Sequence, residues 1–123
     1  MIDLVLSPLL LAQEAVTALV GAGIYPEEVP MNASLPAITY TVVGLRSSPT
    51  LSTAGMFRYR VEFNCWGNSV LEAVLVRQAL VSSLYTFTGT VDGCFIQDMW
   101  VCNVMDFFEH ELLQYRRMVE FYI

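Results

Sequence analysis

From Met56 to Trp66 the chain alternates without a break, with Phe57, Tyr59, Val61, Phe63 and Cys65 falling between Met56, Arg58, Arg60, Glu62 and Asn64. Successive side chains of a strand point to opposite faces, so a run of this kind is buried on one side only. It predicts a sheet strand with an apolar face toward a core and an Arg-Arg-Glu stripe on the other. No other segment of the chain is as restrictive.

The neighbouring segments supply the remaining elements. Ala37–Arg46, rich in β-branched and aromatic residues, reads as a second strand. Between the two strands Ser47–Ala54 is polar, carries Pro49, and reads as a long loop. After Gly67-Asn68, the pattern Ser69-Val70-Leu71-Glu72 is a capping box that opens a helix. Val70, Ala73, Val74, Arg77, Leu80, Val81 and Leu84 mark its faces, and most of its circumference is apolar. Such a helix is expected to be buried on more than one side, by the sheet and by a neighbouring subunit. Upstream, Ser7-Pro8 predicts the start of a first helix, with Leu9, Ala12, Val16 and Leu19 on one face and Gly21 and Gly23 as stop signals. Three prolines between Pro26 and Pro36 predict an extended connector. Downstream, Thr88–Gly93 turns the chain, and Cys94–Met105 and Leu112–Ile123 read as two strands joined near Phe108–Glu111. Leu113, Tyr115, Val119, Phe121 and Ile123 share a face of the last one, interrupted by Arg117. The order is helix, strand, strand, helix, strand, strand. It predicts an α+β fold: one domain over residues 1–123, with an antiparallel sheet of about four strands and two helices packed on one face.

A core of this size leaves apolar material over. Hydrophobic residues make up 55% of the chain and charged residues 15%, against about 45–50% and 25% in an ordinary soluble domain. Either apolar surface stays exposed or it is buried between subunits, and oligomerisation is the better reading. The charges point away from nucleic acid. All six basic residues are arginines, there is no lysine, and twelve carboxylates leave a net charge of −6. Little is available for the clustered positive face that phosphate binding needs. Arginine without lysine fits directed pairing at interfaces; biased codon usage explains it as well. The N-terminal stretch Met1–Val20 lacks the positive start of a signal peptide, and Leu4–Ala12 is too short to span a bilayer. Three cysteines without a CxxC pair suggest neither a disulfide framework nor a zinc site, and a reducing compartment is expected.

Little in the chain suggests catalysis. The one histidine, His110, sits in Asp106-Phe107-Phe108-Glu109-His110-Glu111, where flanking carboxylates favour the imidazolium, a poor general base. The spacing of those acids matches no strong metal pattern, and a solvated acidic turn is the better reading. Cys65 lies on the apolar face of its strand and reads as a small core residue. There is no P-loop, GxGxxG, GxSxG or HExxH. No catalytic, cofactor-binding or metal-binding residue is therefore assigned, and no cofactor is expected. A stacking surface for RNA is unfavoured too, because alternation separates the aromatics of Phe57-Arg58-Tyr59-Arg60 from the arginines. The long loop Arg46–Gly55, held between two strong strands, is the best candidate for a binding loop. The candidate interface comprises Arg46, Ser47, Ser48 and Thr50 of that loop, Arg58, Arg60 and Glu62 of the stripe, and Arg116 near the end of the chain.

An ordered set of landmarks carries a resemblance. Ile24-Tyr25-Pro26 after the first helix, Val29-Pro30, and Leu35-Pro36-Ala37-Ile38-Thr39-Tyr40 resemble the opening of the tail-completion (tail-terminator) proteins of long-tailed bacteriophages. Tyr59–Trp66, followed by a helix with Glu72-Ala73, is similar to that family's central segment. Glu111, Tyr115-Arg116-Arg117 and Glu120-Phe121-Tyr122-Ile123 are similar to its closing strand. The specificity lies in order and spacing, and Phe87–Met105 contributes nothing diagnostic. The resemblance implies a ring, typically a hexamer, at the head-proximal end of the tail tube. The implied partners are other copies of the chain, the tail tube protein and a head-completion or neck protein, with DNA passing through the lumen without specific binding. It further implies a virion location, assembly in the host cytoplasm and no membrane. Two alternatives stay open: another neck or tail-tube subunit, or a small cytosolic ligand-binding domain or enzyme that uses the acidic turn around His110 or a pocket between sheet and helices.

Overall fold

The computed structural model describes residues 3–21, 23–29, 34–47, 57–85, 87–91, 94–96, 99–109 and 114–122. Two helices, α1 (Asp3–Leu11) and α2 (Glu14–Val20), stand where the sequence predicts one. The helix does not begin at Ser7-Pro8; Pro8 lies inside α1. Proline there removes only the bond to the Leu4 carbonyl, at a cost of about 3 kcal/mol. Burial of Val5, Leu6, Leu9 and Leu10, each contributing roughly 1.5–3 kcal/mol, offsets it. The break follows α1, where the Gln13 N–H bonds the Leu10 carbonyl (3.1 Å) and Gln13 is extended. That break resets the helical phase. Val16 and Val20 point inward in α2, whereas Ala12 and Leu19, expected on the buried face, are exposed. Gly21 ends α2 at φ 60°, a region glycine enters without steric cost.

The proline-rich connector contains a short strand, β1 (Ile24–Pro26), which pairs parallel to β2 (Ala37–Ser47) through Ile24–Ile38 and Pro26–Tyr40. Pro26 is tolerated because β1 is an edge strand. β2 pairs antiparallel with β3 (Phe57–Gly67), with a bulge at Val43. Helix α3 (Val70–Leu84) starts as its capping box predicts. The Glu72 N–H donates to Ser69 Oγ at 3.2 Å, while Glu72 Oε1 accepts from the Asn68 N–H at 3.0 Å. Such a cap contributes about 1 kcal/mol.

The expected strand Cys94–Met105 is two elements. Gly89–Val91 (β4) and Cys94–Ile96 (β5) form a separate antiparallel pair, and Trp100–Glu109 (β6) returns to the main sheet beside β7 (Gln114–Tyr122). The main sheet therefore has five strands in the order β1-β2-β3-β7-β6, mostly antiparallel. Among the described residues, the expectation of one four-stranded sheet and two helices is corrected to a five-stranded sheet, a separate two-stranded one and three helices, and the α+β class stands.

All three helices bury side chains in one cluster with the inner face of the sheet: Ile38, Val61, Phe63, Cys65, Val119 and Phe121. Phe63 and Phe121 meet edge to face, with ring centroids 5.8 Å apart. From α3 come Ala73, Val76, Leu80 and Leu84. Among the described residues no helix is long and apolar enough to cross a membrane.

Candidate docking face on the outer side of the sheet

The face of β3 away from the helices carries Arg60, Glu62, Asn64 and Trp66, the stripe that alternation predicts. Pairing with β7 sets Glu120 opposite Glu62, Met118 opposite Asn64 and Arg116 opposite Trp66. Pairing with β2 sets Thr39 opposite Asn64 and Thr41 opposite Glu62. Thr39, Asn64, Met118 and Glu120 are all buried on this face, although the described helices pack on the other one.

Its charges are organised. Arg60 clamps Oε2 of the buried Glu120 from Nε (2.7 Å) and Nη2 (2.6 Å). Charge-assisted contacts of this length are about twice as strong as neutral ones, and they account for a carboxylate under the surface. Glu62 Oε1 accepts from Asn64 Nδ2 at 3.0 Å, and Trp66 Nε1 donates to Thr39 Oγ1 at 3.0 Å. The Arg116 guanidinium lies 5.5 Å from the Trp66 ring centroid, within cation–π range. Asn64 Oδ1 is buried and accepts no hydrogen bond from the described residues. The surface is polar and aromatic, and its Arg60–Glu120 ion pair is already closed.

Of the predicted interface residues, the fold brings Arg60, Glu62 and Arg116 onto this one face. Arg46 and Arg58 are register partners at one end of the β2–β3 pair, and Ser47 pairs with Phe57. β2 thus continues one residue past its predicted end. Ser48 and Thr50, with the rest of the loop to Gly55, lie outside the described residues, as do His110 and Glu111. Glu120, Asn64 and Thr39 were missing from the prediction. The alternation of Glu120 with Val119 and Phe121 signals its face; only the pairing of β7 with β3 sets it beside Arg60.

No described group of three or more His, Cys, Asp or Glu residues is placed to hold a metal ion. Burial pushes the Cys65 thiol up to about 12, against a smaller opposing pull from Arg77. A thiol so far from ionising at neutral pH is a packing group rather than a nucleophile.

Against known proteins, the family model described as tail completion protein gp17 matches residues 6–123. No curated protein matches the chain in sequence. Among solved structures, a chain from one titled "Virion of native gene transfer agent (GTA) particle" superposes with a TM-score of 0.73. The two share 13% identity, covering 93% of this chain and 86% of that one. At that identity the likeness is one of fold.

Proposed function

The chain belongs to the family of tail completion protein gp17, which makes it a structural protein of a phage tail, and from that membership we propose that it forms the ring closing the head-proximal end of the tail tube. There it ends tube growth and joins the tail to the neck. The observation that carries this reading is the extent of the family match, which runs from Leu6, inside α1, through α2, α3 and both sheets. The ring, a hexamer of this chain, meets the tube protein on one side and a head-completion or neck protein on the other. The exposed apolar side chains of α3 support assembly, since a monomer gains nothing by leaving them in water. DNA passes through the lumen without specific binding. With no lysine and twice as many carboxylates as arginines, the subunit has little with which to grip phosphates. The particle is assembled in the host cytoplasm.

Deleting the gene should leave filled heads and unjoined tails of irregular length in electron micrographs, with wild-type protein supplied in trans restoring uniform joined tails. Joined tails of normal length without the protein would refute the reading.

The interface we propose for the neighbouring tail proteins consists of Arg46, Ser47, Ser48, Thr50, Arg58, Arg60, Glu62 and Arg116. Arg58→Glu tests it better than Arg60→Glu, because reversal at Arg60 also sets two carboxylates against each other at Glu120. The expected result is a variant with an unchanged melting curve that fails to join tails to heads. Normal joining would remove Arg58 from the interface.

A further inference from the structure

We propose that both edges of the main sheet are closed to strand addition by the chain's own backbone and side chains, so that its copies and its neighbours join it through side-chain surfaces and not by extending the sheet. The inference stands whether or not those copies form the ring. An edge strand presents a row of main-chain donors and acceptors that another strand can take up. Here the edges are β1 and β6, and among the described residues neither has a partner on its outer side.

The hydrogen bonds at β1 fix which groups point outward. The Ile38 N–H donates to the Gly23 carbonyl at 2.8 Å, and the Glu27 N–H donates to the Tyr40 carbonyl at 3.0 Å. Ile38 and Tyr40 therefore turn their main chain to β1, and residues 23, 25 and 27 turn theirs to β2. Ile24 and Pro26 are left facing outward, and proline there offers no N–H. Directly after it the chain bends at Glu27, which stands at φ 67°, a left-handed conformation uncommon for a residue with a side chain. The bend is held by the bond to Tyr40 and by Thr41 Oγ1, which donates to Glu27 Oε2 at 3.3 Å. Past the end of β1, the margin of β2 is bulged at Val43.

The same alternation carries across the sheet. Thr39 turns its main chain to Asn64, Phe63 to Val119, and Met118 to Met105, so Met105 faces inward and Val104 faces the outer margin. The outward Val104 N–H already has an acceptor: it donates to Asn103 Oδ1 at 3.0 Å. Just before it, β6 is bulged at Cys102, which breaks the even spacing that a partner strand would match. Each edge thus combines a bulge with a withheld donor, through proline at one and a side-chain cap at the other. Because β1 and β6 lie at opposite ends of the sheet, adding copy to copy would join unlike edges. Such a contact runs on as an open filament unless its rotation closes it. Blocked edges remove that route.

The test opens both edges in the full-length chain with Pro26→Val and Asn103→Ala together. Circular dichroism should match the unaltered chain. In sedimentation over a range of concentrations, the double variant should self-associate at least about tenfold more strongly, the worth of roughly one recovered hydrogen bond, and should reach no limiting size. In Asn103→Ala alone, held dilute, the Val104 amide should exchange with solvent faster than in the unaltered chain. A folded double variant that sediments like the unaltered chain would overturn the proposal, and so would an unchanged exchange rate at Val104. Should the double variant fail to fold, Asn103→Ala opens the β6 edge by itself and must still associate more strongly than the unaltered chain. Normal tails in the deletion phage would end the ring reading and leave this result standing.

Discussion

Phe63→Ala is expected to lower the melting temperature of the isolated chain by roughly 10–20 °C, corresponding to a loss of about 3–5 kcal/mol. Phe63 is fully buried in β3, between Tyr40 of β2 and Val119 of β7, and its ring meets that of Phe121 edge to face. Truncation removes the apolar transfer free energy and leaves a cavity that strands held on both sides cannot collapse into. The loss is a large share of the roughly 5–15 kcal/mol by which a domain of this size is stable. Thermal unfolding followed by circular dichroism measures it. A loss below about 1 kcal/mol would mean that Phe63 is not enclosed as described.

Gly67→Ala should cost about 1–3 kcal/mol, the usual penalty of overpacking a filled site. Gly67 is the last residue of β3, and a Cβ there would stand 2.8 Å from the Ala73 nitrogen and 3.2 Å from its Cα. Those atoms belong to the backbone of the first turns of α3, so relief requires moving the helix and disturbs the Ser69–Glu72 cap. Gly44 is the internal control. A Cβ at Gly44 meets nothing closer than Arg60 Cβ at 3.9 Å, and Gly44→Ala should fall within about 0.5 kcal/mol of the unaltered chain. Urea midpoints compare the three proteins directly. Equal midpoints for the two variants would show that α3 does not press on the end of β3.

How far each feature could be read in advance follows the range of the interaction behind it. The capping box of α3 spans four residues, and it forms as read. The two faces of β3 follow from the geometry of a single strand, and Val61, Phe63 and Cys65 are all buried as predicted. The first helix was misread because Pro8 is a start signal in a helix judged alone, whereas burial of Val5, Leu6, Leu9 and Leu10 sustains a helix through it. The missed β4–β5 pair had a short-range signal, since Asp92-Gly93 between Val91 and Cys94 is a dipeptide suited to a two-residue hairpin. The parallel pairing of β1 had none: three residues ending in proline reach the sheet only through the loop that returns the chain to β2.

By itself, then, the sequence determined the α+β class, the polarity of β3, the entry to α3, and the poverty of the chain in catalytic and phosphate-binding groups. Each of these depends on residue types or on periodicity within one element. Tertiary structure alone decided the outer face of the sheet. Strand β7 enters between β3 and β6, and that insertion puts Glu120 beneath Arg60, sixty positions away in the chain, and Arg116 over Trp66. Strand order and register are settled by packing both sheet faces at once, and no local pattern encodes them. Arg60 and Glu62 of the predicted stripe share that face, but their partners are a property of the fold.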